Sequence, residues 1–142
     1  MWHGPALSEL LSDVTAEAAA AHPIPGAHSI WELVEHVRAW TEIVRARLAG
    51  TANREPSTGE DWPPPPAPTM EHWRAAIDRL REGHRLLAGD VAALEDAALD
   101  APVAGRSYTV WAMLHGVVEH GTYHGGQIAL LKRASAALPR NG

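Results

Sequence analysis

Val110-Trp111-Ala112-Met113-Leu114-His115-Gly116-Val117-Val118-Glu119-His120-Gly121-Thr122-Tyr123-His124-Gly125-Gly126-Gln127-Ile128-Ala129-Leu130-Leu131 has the spacing of a helix that faces a core. Val110, Met113, Val117, His120, His124, Gln127 and Leu131 recur in alternating steps of three and four, the seam of a bundle helix. The middle of that seam is polar. His120 and His124, at i and i+4, lie one above the other on a single face, so their imidazoles can converge on one ion. Burying two such rings without partners would cost several kcal/mol by rough transfer values.

Three further segments carry helical apolar spacing, and the abundance of alanine favours helix throughout. The first follows Gly4-Pro5, where proline suits a first turn. Its stripe is Leu7, Leu10, Leu11, Val14, Ala18 and Ala21, and Pro23 and Pro25 stop it. The second opens at Ser29, with Glu32 three residues on as a capping box, and Gly50 ends it. The third starts at Thr69 and carries Trp73, Ile77, Leu80, Leu87, Val91 and Leu94, with Gly83 and Gly89 as points of bending or splitting. The fourth helix runs from Thr109 to about Ser135, ahead of Pro139.

Residues 51–68 hold Pro56, Pro63, Pro64, Pro65, Pro66 and Pro68 and have no periodicity. They predict an extended, partly polyproline connection between helices two and three, either functional or a plain spacer, with Trp62 packed on the bundle. The expected fold is therefore all-α: a four-helix up-and-down bundle in one domain spanning residues 1–142.

Composition removes several functions. The chain of 142 residues is long enough to bury a core without cross-links. It has no cysteine, which excludes disulfides, thiolate ligands and a cysteine nucleophile. Its formal charge of −5, without a basic block, argues against nucleic acid as a partner. No apolar run is long enough to span a membrane, and Met1 to Pro5 lacks the start of a secretory leader, so the expected location is cytoplasmic.

Helix two supplies a candidate third ligand. Leu33, His36, Trp40, Ile43 and Arg47 also step by three and four, with His36 on the edge of the apolar face. His36 lies roughly 10 Å past its helix start and His120 roughly 16 Å past its own, at 1.5 Å per residue, a difference that helix stagger absorbs. A third imidazole would complete a His₃ site with an open position, the arrangement of several catalytic metals. The same spacing also fits hydrogen-bonded histidines on a solvated face. A zinc-protease helix is excluded, because Gly121 stands where that motif needs glutamate. His84, on a seam of helix three, is expected at the core edge, with a fourth ligand or a pocket residue as the alternative, and His115 in a structural role, while His3, His22, His28 and His72 carry no signal. Gly121, Gly125 and Gly126 either clear space beside a metal or allow close packing. Tyr123 and Glu119 point off the seam and are assigned no role as a base.

Two motifs, Ser29-Ile30-Trp31-Glu32-Leu33-Val34-Glu35-His36-Val37 and His115-Gly116-Val117-Val118-Glu119-His120-Gly121-Thr122-Tyr123-His124-Gly125-Gly126-Gln127-Ile128, resemble the DinB-like superfamily of small metal-binding four-helix bundles. The resemblance spans nearly the whole chain and departs at Gly125, where the family usually has a larger, often basic residue. It implies metal-ligand roles for His36, His120 and His124. It also implies a divalent ion, with zinc or nickel ahead of iron or manganese, and a homodimer. Six tryptophans in so short a chain also point to an interface. Family chemistry includes thiol transfer and thiol-dependent isomerisation, so the expected function is that of a metal-dependent thiol transferase or hydrolase. Its expected partner is a small-molecule substrate, with a low-molecular-weight thiol as the candidate. The alternative is a non-catalytic, stress-related binding or dimerisation bundle with a structural metal or none.

Overall fold

The computed structural model describes residues 6–137 and is all-helical over them. In chain order the α-helices are α1 (Leu7–Leu10), α2 (Ala16–Ala20), α3 (Ile30–Leu48), α4 (Thr58–Asp61), α5 (Met70–Ala92) and α6 (Val110–Ala137), with a 3₁₀ helix at Asp96–Asp100. Among the described residues there is no strand, and Pro102 and Thr109 form an isolated bridge just before α6. The expectations placed on His3, on Gly4-Pro5 and on Pro139 lie outside the described residues.

The starts of the three long helices follow their capping chemistry. Ser29 Oγ accepts from the Glu32 amide at 3.2 Å, and the Glu32 carboxylate accepts from the Ser29 amide at 2.7 Å. Both arms of the box are thus in place, satisfying amides that the first turn leaves free. Thr69 caps α5 through the His72 amide, and Thr109 caps α6 through the Ala112 amide.

The structure corrects the sequence reading in three places. The expected first helix is two short helices, α1 and α2, separated at Ser12–Thr15, where Thr15 caps α2 through the Ala18 amide. The break is held by tertiary bonds: the Trp73 indole N–H donates to the Val14 carbonyl at 2.8 Å, and Lys132 Nζ donates to the Leu10 carbonyl at 2.7 Å. The glycines of α5 do not split it. Gly83 is buried against α3, where an added Cβ would sit 3.5 Å from Thr41 Cγ2. Finally, the connection at 51–68 is not wholly extended, because α4 forms in its middle with Glu60 bonded back to the Ser57 amide.

The main core lies where α3 meets α5, α2 and α6. Trp31 and Trp73 are fully buried there, their rings 5.1 Å apart and tilted by 57°. Around them pack Leu11, Leu33, Val34, Leu80 and Ile128. A second cluster, Val44, Leu87, Val103 and Met113, fills the other end. Glu35 is buried between α3 and α5, but Arg38 and Arg79 hold it at 2.7 and 3.0 Å, which offsets the desolvation of its charge. No described helix is long and apolar enough to cross a membrane.

Candidate metal centre

The seams of α3 and α6 face each other at their polar positions. His36 and His124 are buried and His120 is partly so. The three rings meet tip to tip: His120 Nε2 lies 2.9 Å from His36 Nε2 and 3.1 Å from His124 Nε2. Ligand atoms of the three residues all fall within 4.8 Å of one another, and no other such group occurs among the described residues.

The groups behind the rings fix their tautomers. His36 Nδ1 donates to the backbone carbonyl of Asp61 at 2.7 Å. A carbonyl only accepts, so the proton sits on Nδ1 and the neutral ring presents a lone pair at Nε2. His124 Nδ1 donates in the same way to Gln127 Oε1 at 2.6 Å. His120 Nδ1 is buried and has no partner. Its ring therefore either turns an Nε2 proton toward one lone pair and leaves the other facing it, or turns a third lone pair inward. A cation at the centre satisfies all three at once. Around a tetrahedral zinc ion, with bonds of 2.0–2.1 Å, ligand nitrogens stand about 3.3 Å apart. The spacings from His120 to its two neighbours fall a few tenths of an ångström short of that, and all three ligand atoms lie within 4.8 Å of one another, so the donor set can close on a divalent ion.

The connection before α5 completes the walls. Trp62 stacks on His36 with ring centroids 3.8 Å apart, and His28 stacks on its other side at the same distance. Trp40 leans on His120 at 5.8 Å and donates its indole N–H to Asp61 Oδ1 at 2.6 Å. Asp61 thus fixes both His36 and Trp40.

The expected ligands His36, His120 and His124 come together, and Trp62 packs as expected. Other positions fall differently. Gly121 and Gly125 line a groove of about 550 Å³ bordered by Leu10, His84 and Leu87, not the space at the imidazoles. Gly125 is buried, where an added Cβ would meet Leu10 Cδ1 at 3.7 Å. His84 is exposed at that groove, and His115 is exposed against Trp111. Glu119 and Tyr123 are exposed, as their off-seam positions require. His28 and Asp61 carried no assigned role from the sequence, yet both border the centre. Asp61-Trp62 just before a proline run is the local signal for one of them; His28 has none, since its contact is made by a chain segment 34 residues away.

Burial, reinforced by the neighbouring imidazoles of His124 and His36, holds His120 down to about 4 from an ordinary 6.5. Burial likewise lowers His124. Between pH 6.5 and about 4 the unfolded chain therefore binds a proton at His120 that the folded, metal-free chain refuses. Stability of chelator-treated protein should fall as pH drops through that window and level off below it, as far as this group is concerned. Melting temperatures at pH 7.5 and 5 check this, and His120→Gln should flatten the dependence.

An all-helical chain that closes three imidazoles from two facing helices around one point defines a small helical protein with a candidate metal centre. Residues 2–128 match the family model of the DinB superfamily, and the chain belongs to that superfamily. No curated protein and no solved structure matches it.

Proposed function

We propose that the protein is a metal-dependent enzyme that acts on a small molecule, with thiol transfer as the first candidate reaction and hydrolysis as the second. The observation that carries this is the convergence of three Nε2 atoms from three histidines, with no fourth residue in the group among the described residues. Three ligands leave a coordination position for water or a cosubstrate, whereas structural zinc sites are closed by a fourth. A bound divalent ion would hold a thiol as thiolate at neutral pH or lower the pKa of water to about 7.

The chain's own residues would do the rest. Asp61 and Gln127 orient the rings of His36 and His124. Trp62 and Trp40 cover two sides and exclude water. With no cysteine in the chain, the nucleophilic sulfur comes from the cosubstrate. Its attack on a carbon bearing halide forms the C–S bond as the C–halogen bond breaks, and halide leaves with the electron pair.

Zinc- or nickel-loaded protein incubated with cysteine-derived and other bacterial thiols and 1-chloro-2,4-dinitrobenzene should form the conjugate at a rate that depends on metal and on His124. If every thiol is inert and cobalt-substituted protein shows a closed four-ligand spectrum, the non-catalytic reading replaces this one. A homodimer through α6 is part of the same proposal. Trp111 and Val118, seven residues apart on one face of that helix, are 54% and 67% exposed, apolar side chains that a second copy would cover. Light scattering at micromolar concentration should give about twice the chain mass of 15.3 kDa, and a monomer mass removes the dimer.

A further inference from the structure

Beside the metal centre, on the far side of Trp40, α3 and α6 border a solvent-open cavity of about 340 Å³. Trp40, Val44, Arg47, Tyr108, Met113 and Gly116 line it. Its size is that of a small-ligand pocket, with apolar walls and a few polar groups. Arg47 is 6% exposed, and its guanidinium carbon sits over the Trp40 ring at 5.4 Å. It donates from Nη1 to the Tyr108 hydroxyl at 2.9 Å and from Nη2 to Glu55 at 3.2 Å. Arg106 donates to the same Glu55.

This cluster carries more positive charge and more donors than its own acceptors satisfy. Two guanidiniums share one carboxylate, and that carboxylate's side chain is 68% exposed. Arg47 Nε, Arg106 Nε and Arg106 Nη2 are buried without partners. Buried cations are normally paired, and a buried donor without an acceptor is costly. Glu55 is held to Arg47 by one long bond at a wet edge, so another anion can replace it there. The Tyr108 hydroxyl accepts from Arg47 and keeps its own proton to donate.

We propose that this cavity binds the carboxylate of a small apolar acid. The carboxylate takes its place at Arg47 and Tyr108, and the apolar body lies over Val44 and Met113. Trp40 forms a wall that separates the bound acid from the imidazole cluster. The inference stands apart from the proposed enzymatic reading. Its binding step needs neither metal nor thiol.

The test is titration of the purified full chain, metal-free and zinc-loaded, with sodium benzoate and with benzyl alcohol as the uncharged counterpart. The shift of the Trp40 indole N–H reports occupancy. Benzoate should saturate, with benzyl alcohol at least about tenfold weaker, since a charge-assisted bond is lost. Arg47→Gln should weaken benzoate by about tenfold or more without changing zinc content. Glu55→Gln, which removes the competing carboxylate, should tighten it, a gain that a purely structural ion network would not produce. Should Arg47→Gln fail to fold, Gly116→Leu carries the point. A Cβ there meets nothing within 4 Å, so the side chain can fill the cavity and abolish binding. Equal binding of benzyl alcohol, absence of a saturable benzoate shift, or benzoate binding unchanged in Gly116→Leu overturns the proposal. Conjugation of chlorodinitrobenzene by a protein that ignores benzoate refutes this inference alone. Benzoate binding by a protein that never conjugates refutes the enzymatic reading alone.

Discussion

A His120→Ala, His124→Ala double variant will purify without a divalent ion and keep its helical circular dichroism. The two substitutions remove two of three converging donors and leave His36 alone, which is too few to hold a metal against buffer. They also take away an arrangement that the metal-free fold tolerates poorly, since three ring nitrogens crowd at 2.9 and 3.1 Å with one buried Nδ1 unpartnered. The helices should survive, because their caps and their apolar faces do not involve these rings. The wild type should contain about one ion per chain by elemental analysis. Adding metal at about a thousand times its dissociation constant stabilises a native state by about 4 kcal/mol. For a chain of this size that raises the melting temperature by roughly 10 °C or more. The double variant should show no such rise. Full metal occupancy in the double variant would remove the centre from these residues.

The largest loss of stability is expected at Trp73. Truncation of a buried tryptophan to alanine costs about 3–5 kcal/mol, through lost burial and the cavity left behind. Trp73 is 1% exposed and packs against Trp31, which is 0% exposed. It also donates to the Val14 carbonyl, which ties the break between α1 and α2 to α5. Trp73→Ala should therefore lower the denaturation midpoint by that free energy and loosen the N-terminal segment first, seen as faster amide exchange at Ala18 and Ala19. Trp73→Phe keeps much of the packing but orphans the carbonyl, a cost of about 1–3 kcal/mol. Trp111→Ala, at an exposed position, should change stability by no more than about 0.5 kcal/mol. Equal losses at Trp73 and Trp111 would contradict this account of the core.

The legible parts of the molecule are those governed by local rules. Ser29 and Glu32 announced the start of α3, and Thr69 and Thr109 the starts of α5 and α6, because a helix start needs acceptors for its first amides. The alternating steps through Met113, His120, His124 and Leu131 put both α6 imidazoles on the inward face. The same spacing put His36 toward them from α3. Where the reading failed, a distant partner had decided the local structure. The first helix breaks at Ser12–Thr15 because Trp73 and Lys132 take up backbone carbonyls there. Gly83 was read as a weakness in α5, whereas it is the place where Thr41 packs closely. Gly121 and Gly125 were candidates for open space at the metal, and they face a groove on another side of α6.

By itself the sequence determined that this is a helical chain, without cysteine, carrying three histidines at core-facing positions of two helices. Periodicity and caps act within a few residues, so they can be read along the chain. Only the tertiary structure decided that the three Nε2 atoms meet, that Asp61 and Gln127 turn two of them inward, and that Trp62 closes over His36 from a connection 26 residues away in the chain. Those outcomes depend on how far two helices are staggered and where a proline-rich segment comes to rest. Both are set by burial summed over the whole core, which no local pattern encodes.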